Sequence, residues 1–124
     1  MQSLDARGLP AGYPFNPDWE VTPREFRDRR ASGEAVVLVD CRTAAERATA
    51  SIEGSIHVPM HELSAHLDAL RAHETDPVVV HCHHGVRSLR VVRFLREKGF
   101  VQAQSMRGGI DAWSAEVDPA VPRY

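Results

Sequence analysis

At 124 residues the chain has room for one domain with a real core but not for two, and its 43% hydrophobic and 26% charged residues are those of an ordinary globular protein. A net charge of −2 argues against nucleic acid or an anionic membrane as a partner. With only two cysteines, Cys41 and Cys82, no apolar signal run in residues 1–20 and no segment of transmembrane length, the chain reads as a reduced, cytoplasmic protein in which a reactive thiol survives.

Residues 1–18 are rich in glycine and proline and read as an extended N-terminal arm, with Tyr13 and Phe15 as its anchors. Trp19, Glu20 and Val21 form a short first strand. Thr22 then caps a helix that has Pro23 in its first position and Glu25 closing a capping box, and that ends near Ser32 and Gly33. Residues 35–40 are a continuous apolar run closed by Asp40, the pattern of a central parallel strand buried on both faces. A short helix over 42–50 follows, with Thr43 as cap and Glu46 in its first turn. Residues 55–59 make a second short strand stopped by Pro59.

Leu63, Leu67 and Leu70 recur at helical spacing and predict a helix over 61–73, with His66 and His73 toward its exposed side. Val78–His81 reads as a buried strand, and a helix packed into the body runs from the following loop to Lys98. A weaker strand over 101–106 precedes a helix from Gly108 and Gly109 to Val117, in which Trp113 is a core residue. Asp118 and Pro119 close it, so the body spans 19–119 and a tail spans 120–124. Strands alternating with helices argue for an α/β domain with a mainly parallel sheet of about five strands and helices on both faces. Ligands of such open sheets bind outside the carboxyl ends of the strands, where Asp40, Cys41, Arg42 and Cys82 all fall.

Cys82 ends a strand, and the loop after it opens a helix. The first N–H groups of a helix lack intrahelical partners and carry partial positive charge, so a thiolate above them is stabilised and reactive at neutral pH. Cys82 is therefore the candidate nucleophile. Cys41 extends an apolar strand and reads as a small core side chain, with a resolving or second reactive thiol as the alternative. His83 and His84 either favour an anionic ligand through partial protonation or contribute only backbone N–H groups. Consecutive ligands in His81, Cys82, His83 and His84 cannot all converge on one ion, so no metal is expected. Asp40 and Arg42 pair with each other or brace the Cys82 loop.

These motifs, taken in order, resemble the single-domain rhodanese (thiosulfate sulfurtransferase-like) family over residues 19–119. The resemblance rests on Asp40-Cys41-Arg42, Glu46, Ile52-Glu53-Gly54-Ser55-Ile56-His57-Val58-Pro59, and the loop Cys82-His83-His84-Gly85-Val86-Arg87-Ser88. It rests also on Gly99-Phe100 and Gly108-Gly109-Ile110-Asp111-Ala112-Trp113. The chain departs from the usual pattern at Ala50-Ser51, at His57, and at Cys41, where an apolar residue is common.

The resemblance implies a rhodanese-like fold and a sulfurtransferase. Cys82 takes the sulfane sulfur of thiosulfate or a similar donor, becomes a persulfide, and passes the sulfur to cyanide, a small thiol or a protein thiol. His83, His84, Gly85, Val86, Arg87 and Ser88 would hold the substrate, the loop N–H groups cradling sulfur and Arg87 facing an anionic donor. No cofactor is required.

Two other readings compete. Cysteine phosphatases and arsenate reductases share the His-Cys start and the closing arginine, but their loops are one residue longer. The four residues from His83 to Val86 leave less room for a tetrahedral oxyanion and suit a single sulfur. A non-catalytic binding module of the same fold would not need Cys82 and Arg87.

Overall fold

The computed structural model of the protein describes residues 16–124. The predicted arm therefore lies outside the described residues up to position 15, Tyr13 and Phe15 included. Residues 17–19 form a turn leading into β1 (Glu20–Val21). Five helices and four further strands alternate after it: α1 (Pro23–Ala31), β2 (Val37–Asp40), α2 (Ala44–Thr49), β3 (Ile56–His57), α3 (Leu63–Leu70), β4 (Val78–His81), α4 (Val86–Glu97), β5 (Ala103–Met106) and α5 (Gly109–Glu116). The sheet has the order β1-β5-β4-β2-β3, and every pairing in it is parallel. Among the described residues no helix is long and apolar enough to cross a membrane.

Local chemistry explains the starts of the first two helices. Thr22 accepts from the Glu25 N–H at 3.1 Å while Glu25 accepts from the Thr22 N–H at 3.0 Å, so α1 begins with a complete capping box. Thr43 and Glu46 repeat the device on α2. The helix predicted over 61–73 is α-helical only over Leu63–Leu70, with single 3₁₀ turns on either side. No side chain caps its start, and the chain reaches it straight from Pro59. Val101, expected in the last strand, instead precedes β5 and is 72% exposed.

Alternate residues of the central strands serve opposite faces, as strand geometry requires. Val39, Val78 and Val80 pack with Leu63 and Leu70 of α3 and with Val91, Val92 and Leu95 of α4. Leu38 and Val79 pack on the other side with Phe26 of α1 and with Ile110 and Trp113 of α5. Burying each such aliphatic side chain stabilises the fold by about 1.5–3 kcal/mol. The continuous apolar runs of β2 and β4 are thus consumed by two cores. Cys41 and Cys82 continue the face that carries α3 and α4.

One backbone crossing positions everything at the carboxyl edge. The first turn of α5 has no side-chain cap; instead its Ile110 N–H donates to the Cys82 carbonyl at 2.9 Å and its Asp111 N–H to the His83 carbonyl at 3.1 Å. Gly109, at φ +61°, is where the two backbones cross, and a Cβ there would lie 2.4 Å from each of those carbonyl oxygens. Gly109→Ala is therefore expected to destabilise the protein by more than about 1 kcal/mol and to displace the Cys82 loop. Denaturant unfolding, together with amide exchange of the 82–88 loop, checks this; a wild-type midpoint would contradict the crossing.

Candidate active site

Cys82 stands at the end of β4, 1% exposed, with its sulfur turned into the loop that opens α4. Gly85 adopts φ +100°, which glycine alone tolerates readily, and in that conformation its N–H donates to Cys82 Sγ at 3.0 Å. The Ser88 N–H, in the first turn of α4, donates to the same sulfur at 3.4 Å. Ser88 Oγ lies 3.4 Å from Sγ and 2.7 Å from Ser105 Oγ of β5. With Ser105 donating to Ser88 and Ser88 donating to sulfur, both hydroxyls are satisfied by a thiolate. No side chain caps α4; the Cys82 sulfur takes that place.

The paired register of β2 and β4 brings in one more donor. Asp40 is opposite His81, and the Cys41 N–H bonds the His81 carbonyl at 3.1 Å, which sets Cys41 beside Cys82. A hydrogen bond from the Cys41 thiol is the largest influence drawing the Cys82 thiol well below the free-cysteine value. Burial opposes that shift, and the Ser88 and Gly85 donors reinforce it. Cys41 moves the opposite way, raised by the same bond, by burial and by the neighbouring charge. The pair therefore holds one proton on Cys41 and one negative charge on Cys82, where the N–H donors are.

Around the thiols lies a chain of ion pairs. Asp40 and Arg42 are both fully buried, and Arg42 grips the carboxylate through Nε at 2.9 Å and Nη2 at 2.8 Å. Burial works against the Asp40 charge, but the Arg42 hydrogen bonds outweigh it and hold the carboxyl below its ordinary value. Arg42 Nη2 also donates to the Ala50 carbonyl at 2.6 Å, so the guanidinium ties the end of β2 to the far end of α2. Helix α2 in turn presents Glu46, which accepts from both Arg87 Nη atoms at 2.6 and 2.9 Å. Those Arg87 bonds, with help from Tyr124, hold Glu46 far below the usual carboxylate range. His81 is buried beside Asp40, and burial lowers it to about 4, so it is neutral at pH 7.

The sequence candidates are thus spread over several jobs. Gly85 and Ser88 touch the sulfur through their backbone, and Asp40 and Arg42 form the buried brace. Arg87, expected to face an anionic donor, has its charge shared with Glu46. Val86 is 65% exposed at the start of α4. The His83 ring stacks on His84, with centroids 3.8 Å apart, and on Tyr124, with centroids 4.0 Å apart. Consecutive histidines do come together here: His83, His84 and Asp111 place ligand atoms within 4.8 Å of one another, whereas His81 is buried beside Asp40. Arg123 already engages both Asp111 oxygens, at 2.9 and 3.1 Å.

Ser105 and Tyr124 were not legible in the sequence as parts of this site, whereas Cys41 was already placed with Cys82 at the carboxyl ends of the strands. Tyr124 donates to Glu46 at 2.8 Å and accepts from Arg42 at 2.9 Å. The predicted tail therefore returns to the body, and Val121 is buried with it. No motif marks such contacts. The one available signal for Ser105 was a small polar residue in an otherwise buried strand.

A family model described as "Rhodanese-like domain" matches residues 22–116. A protein of Zea mays named adenylyltransferase and sulfurtransferase MOCS3-1 is 39% identical over 84% of the chain. The chain spans 23% of the length of that relative. An Allochromatium vinosum protein named sulfurtransferase is 32% identical over 82% of the chain and 94% of its own length. Among solved structures, human single-domain sulfurtransferase TSTD1 is similar with a TM-score of 0.71 and 26% identity, covering 82% of this chain and 98% of that one.

Two expectations follow from the geometry. Alkylation of Cys82 is expected to titrate with a midpoint well below the ~8.5 of a free cysteine. Ser88→Ala, which removes one charge-assisted donor, raises that midpoint by roughly one to two pH units. A midpoint at or above the free value would contradict the thiolate cradle. Glu46 has its folded pKa depressed, so its stabilising contribution is present above the unfolded value and drains away as pH falls below about 4.3. Glu46→Gln should cost about 1 kcal/mol or less at pH 7 and flatten the acid limb of a stability-against-pH curve from urea titrations.

Proposed function

The chain belongs to the rhodanese-like domain family, and on that premise we propose that it is a sulfurtransferase whose nucleophile is Cys82. The observation that carries this reading is the convergence of the Gly85 and Ser88 N–H groups and the Ser88 hydroxyl on one sulfur atom. The Cys82 thiolate attacks the outer, sulfane sulfur of thiosulfate or a donor of the same type. The donor's sulfur–sulfur bond breaks and its electron pair leaves with sulfite, so Cys82 carries a persulfide. A thiolate, on a small molecule or a protein, or cyanide then attacks the outer sulfur, and Cys82 departs as the thiolate that the loop stabilises.

The same donors serve both ends of the cycle. They lower the energy of Cys82 as attacking group and again as leaving group, because charge returns to the same atom. Arg87 lies close enough to favour negative charge on Cys82, while its pairing with Glu46 holds the guanidinium in place. The route uses no metal or organic cofactor. Domain limits of 19–119 fit this reading, with the 120–124 segment lying against the site through Tyr124.

The phosphatase-like alternative fits less well. The loop is one residue shorter than that chemistry uses, and the Gly85 and Ser88 N–H groups converge on a single sulfur. A purely binding role leaves the activated thiol without use.

Incubation with thiosulfate and cyanide is expected to yield sulfite and thiocyanate in equal amounts. Cys82→Ser should lower the rate at least ~10³-fold. If the wild-type protein forms neither product, the thiosulfate reading fails.

A further inference from the structure

The mechanism above uses one thiol, yet a second is buried beside it in the same core. Cys41 is 1% exposed, and the β2–β4 register, with Asp40 opposite His81, sets it directly beside Cys82, whose sulfur would carry the persulfide. It directly follows β2, whereas the N–H donors reach Cys82 from the loop before α4 and from that helix's first turn. Neighbouring parallel strands run ~4.8 Å apart, inside the ~4.4–6.8 Å that a disulfide spans between Cα atoms. A hydrophobe of similar size would fill the core equally well at this position, so the thiol is not required for packing.

The geometry points to Cys41 as a resolving thiol that, when no external acceptor arrives, displaces the transferred sulfur from Cys82 as hydrosulfide and closes a Cys41–Cys82 disulfide. This rests on the sulfurtransferase reading for the origin of the persulfide. In the step, a bond forms between Cys41 Sγ and Cys82 Sγ, and the bond from Cys82 Sγ to the outer sulfur breaks. The bonding pair leaves with the outer sulfur, which takes the Cys41 proton and departs as HS⁻. The two cysteines lose two electrons and the sulfane sulfur gains two, so no outside oxidant is needed. Two molecules of a thiol reductant reopen the disulfide and return both cysteines to the reduced state.

Loading Cys82 also prepares the step. While Cys82 is a thiolate, its charge keeps the proton on Cys41. Once the persulfide forms, that charge sits one atom further out and Cys82 Sγ becomes an electrophile. Cys41, side by side with Cys82 in the β2–β4 register, is then placed to attack it.

The test treats reduced wild-type protein and Cys41→Val with thiosulfate at about pH 8.5, without thiol or cyanide, a pH at which even an unassisted cysteine is substantially thiolate. Sulfite, hydrosulfide and intact mass are followed together. The wild type is expected to release one sulfite and one hydrosulfide per chain, to lose two hydrogens, and to show a Cys41–Cys82 linkage in its peptide map. Cys41→Val is expected to release sulfite alone and to gain one sulfur atom on Cys82.

A wild-type protein that releases sulfite but keeps the added sulfur on Cys82 overturns the resolving role and leaves the sulfurtransferase reading standing. If neither protein releases sulfite, the donor reading fails, and a second arm examines the pair on its own. Hydrogen peroxide converts the Cys82 thiolate to a sulfenic acid with release of hydroxide, and the sulfenic acid condenses with the Cys41 thiol, losing water, to give the same disulfide. A sulfinate on Cys82 in place of the linkage after that treatment overturns the resolving role.

Discussion

Cys82 terminates two helices at once, and the rest of the site depends on that double engagement. Its sulfur accepts the free N–H groups at the start of α4, and its carbonyl accepts the Ile110 N–H at the start of α5. A helix start leaves several backbone donors unmet, and burying them unpaired is costly. Here the two helices pack on opposite faces of the sheet but start at the same carboxyl edge, and one residue supplies acceptors to both. The position of the sulfur is thus set by backbone geometry on each side of it. Gly85 and Gly109 are two of the places where that arrangement tolerates no side chain, the first through its positive φ and the second through the carbonyls it would strike.

Electrostatics then decides which sulfur carries the charge. Cys41 and Cys82 are neighbours of similar burial, and neither differs from the other as a chemical group. Cys82 has the N–H donors and the Ser88 hydroxyl, whereas Cys41 has Asp40 nearby, which disfavours a second negative charge. The ion pairs around them also work through position. Asp40 and Arg42 lock the end of β2 to α2, α2 delivers Glu46, and Glu46 holds Arg87 at the mouth of the loop. A buried pair of this kind contributes little net stability by itself, because desolvation offsets the attraction. Its contribution is to hold a short helix with no buried residues of its own against the rest of the site.

Much of the fold was legible in the chain because its causes are local. Capping boxes at Thr22 and Thr43 need only residues three apart. The apolar runs before Asp40 and Cys82 follow from burial on both strand faces, and the strand–loop–helix around Cys82 shows in composition alone. The boundaries of α3 and β5 shifted where no cap or turn signal marks an end, and the strands expected over 35–40 and 55–59 are shorter, Val37–Asp40 and Ile56–His57. Asp40 and Arg42 were recognised as a pair because they are two residues apart. The sharing of Arg87 with Glu46 was not, since it crosses from one helix to another.

By itself, then, the sequence determined the alternation of strands and helices, the choice of Cys82 as the activated thiol, and the glycines its loop needs. These rest on spacing, capping and backbone permissiveness, which act over a few residues. Only the tertiary structure decided which groups stand next to the sulfur. Strand register brought Cys41 beside Cys82, β5 carried Ser105 to Ser88, and the return of the chain laid Tyr124 on His83. Those contacts join residues far apart in the chain, and sheet order and register, which no local pattern encodes, are what bring them together.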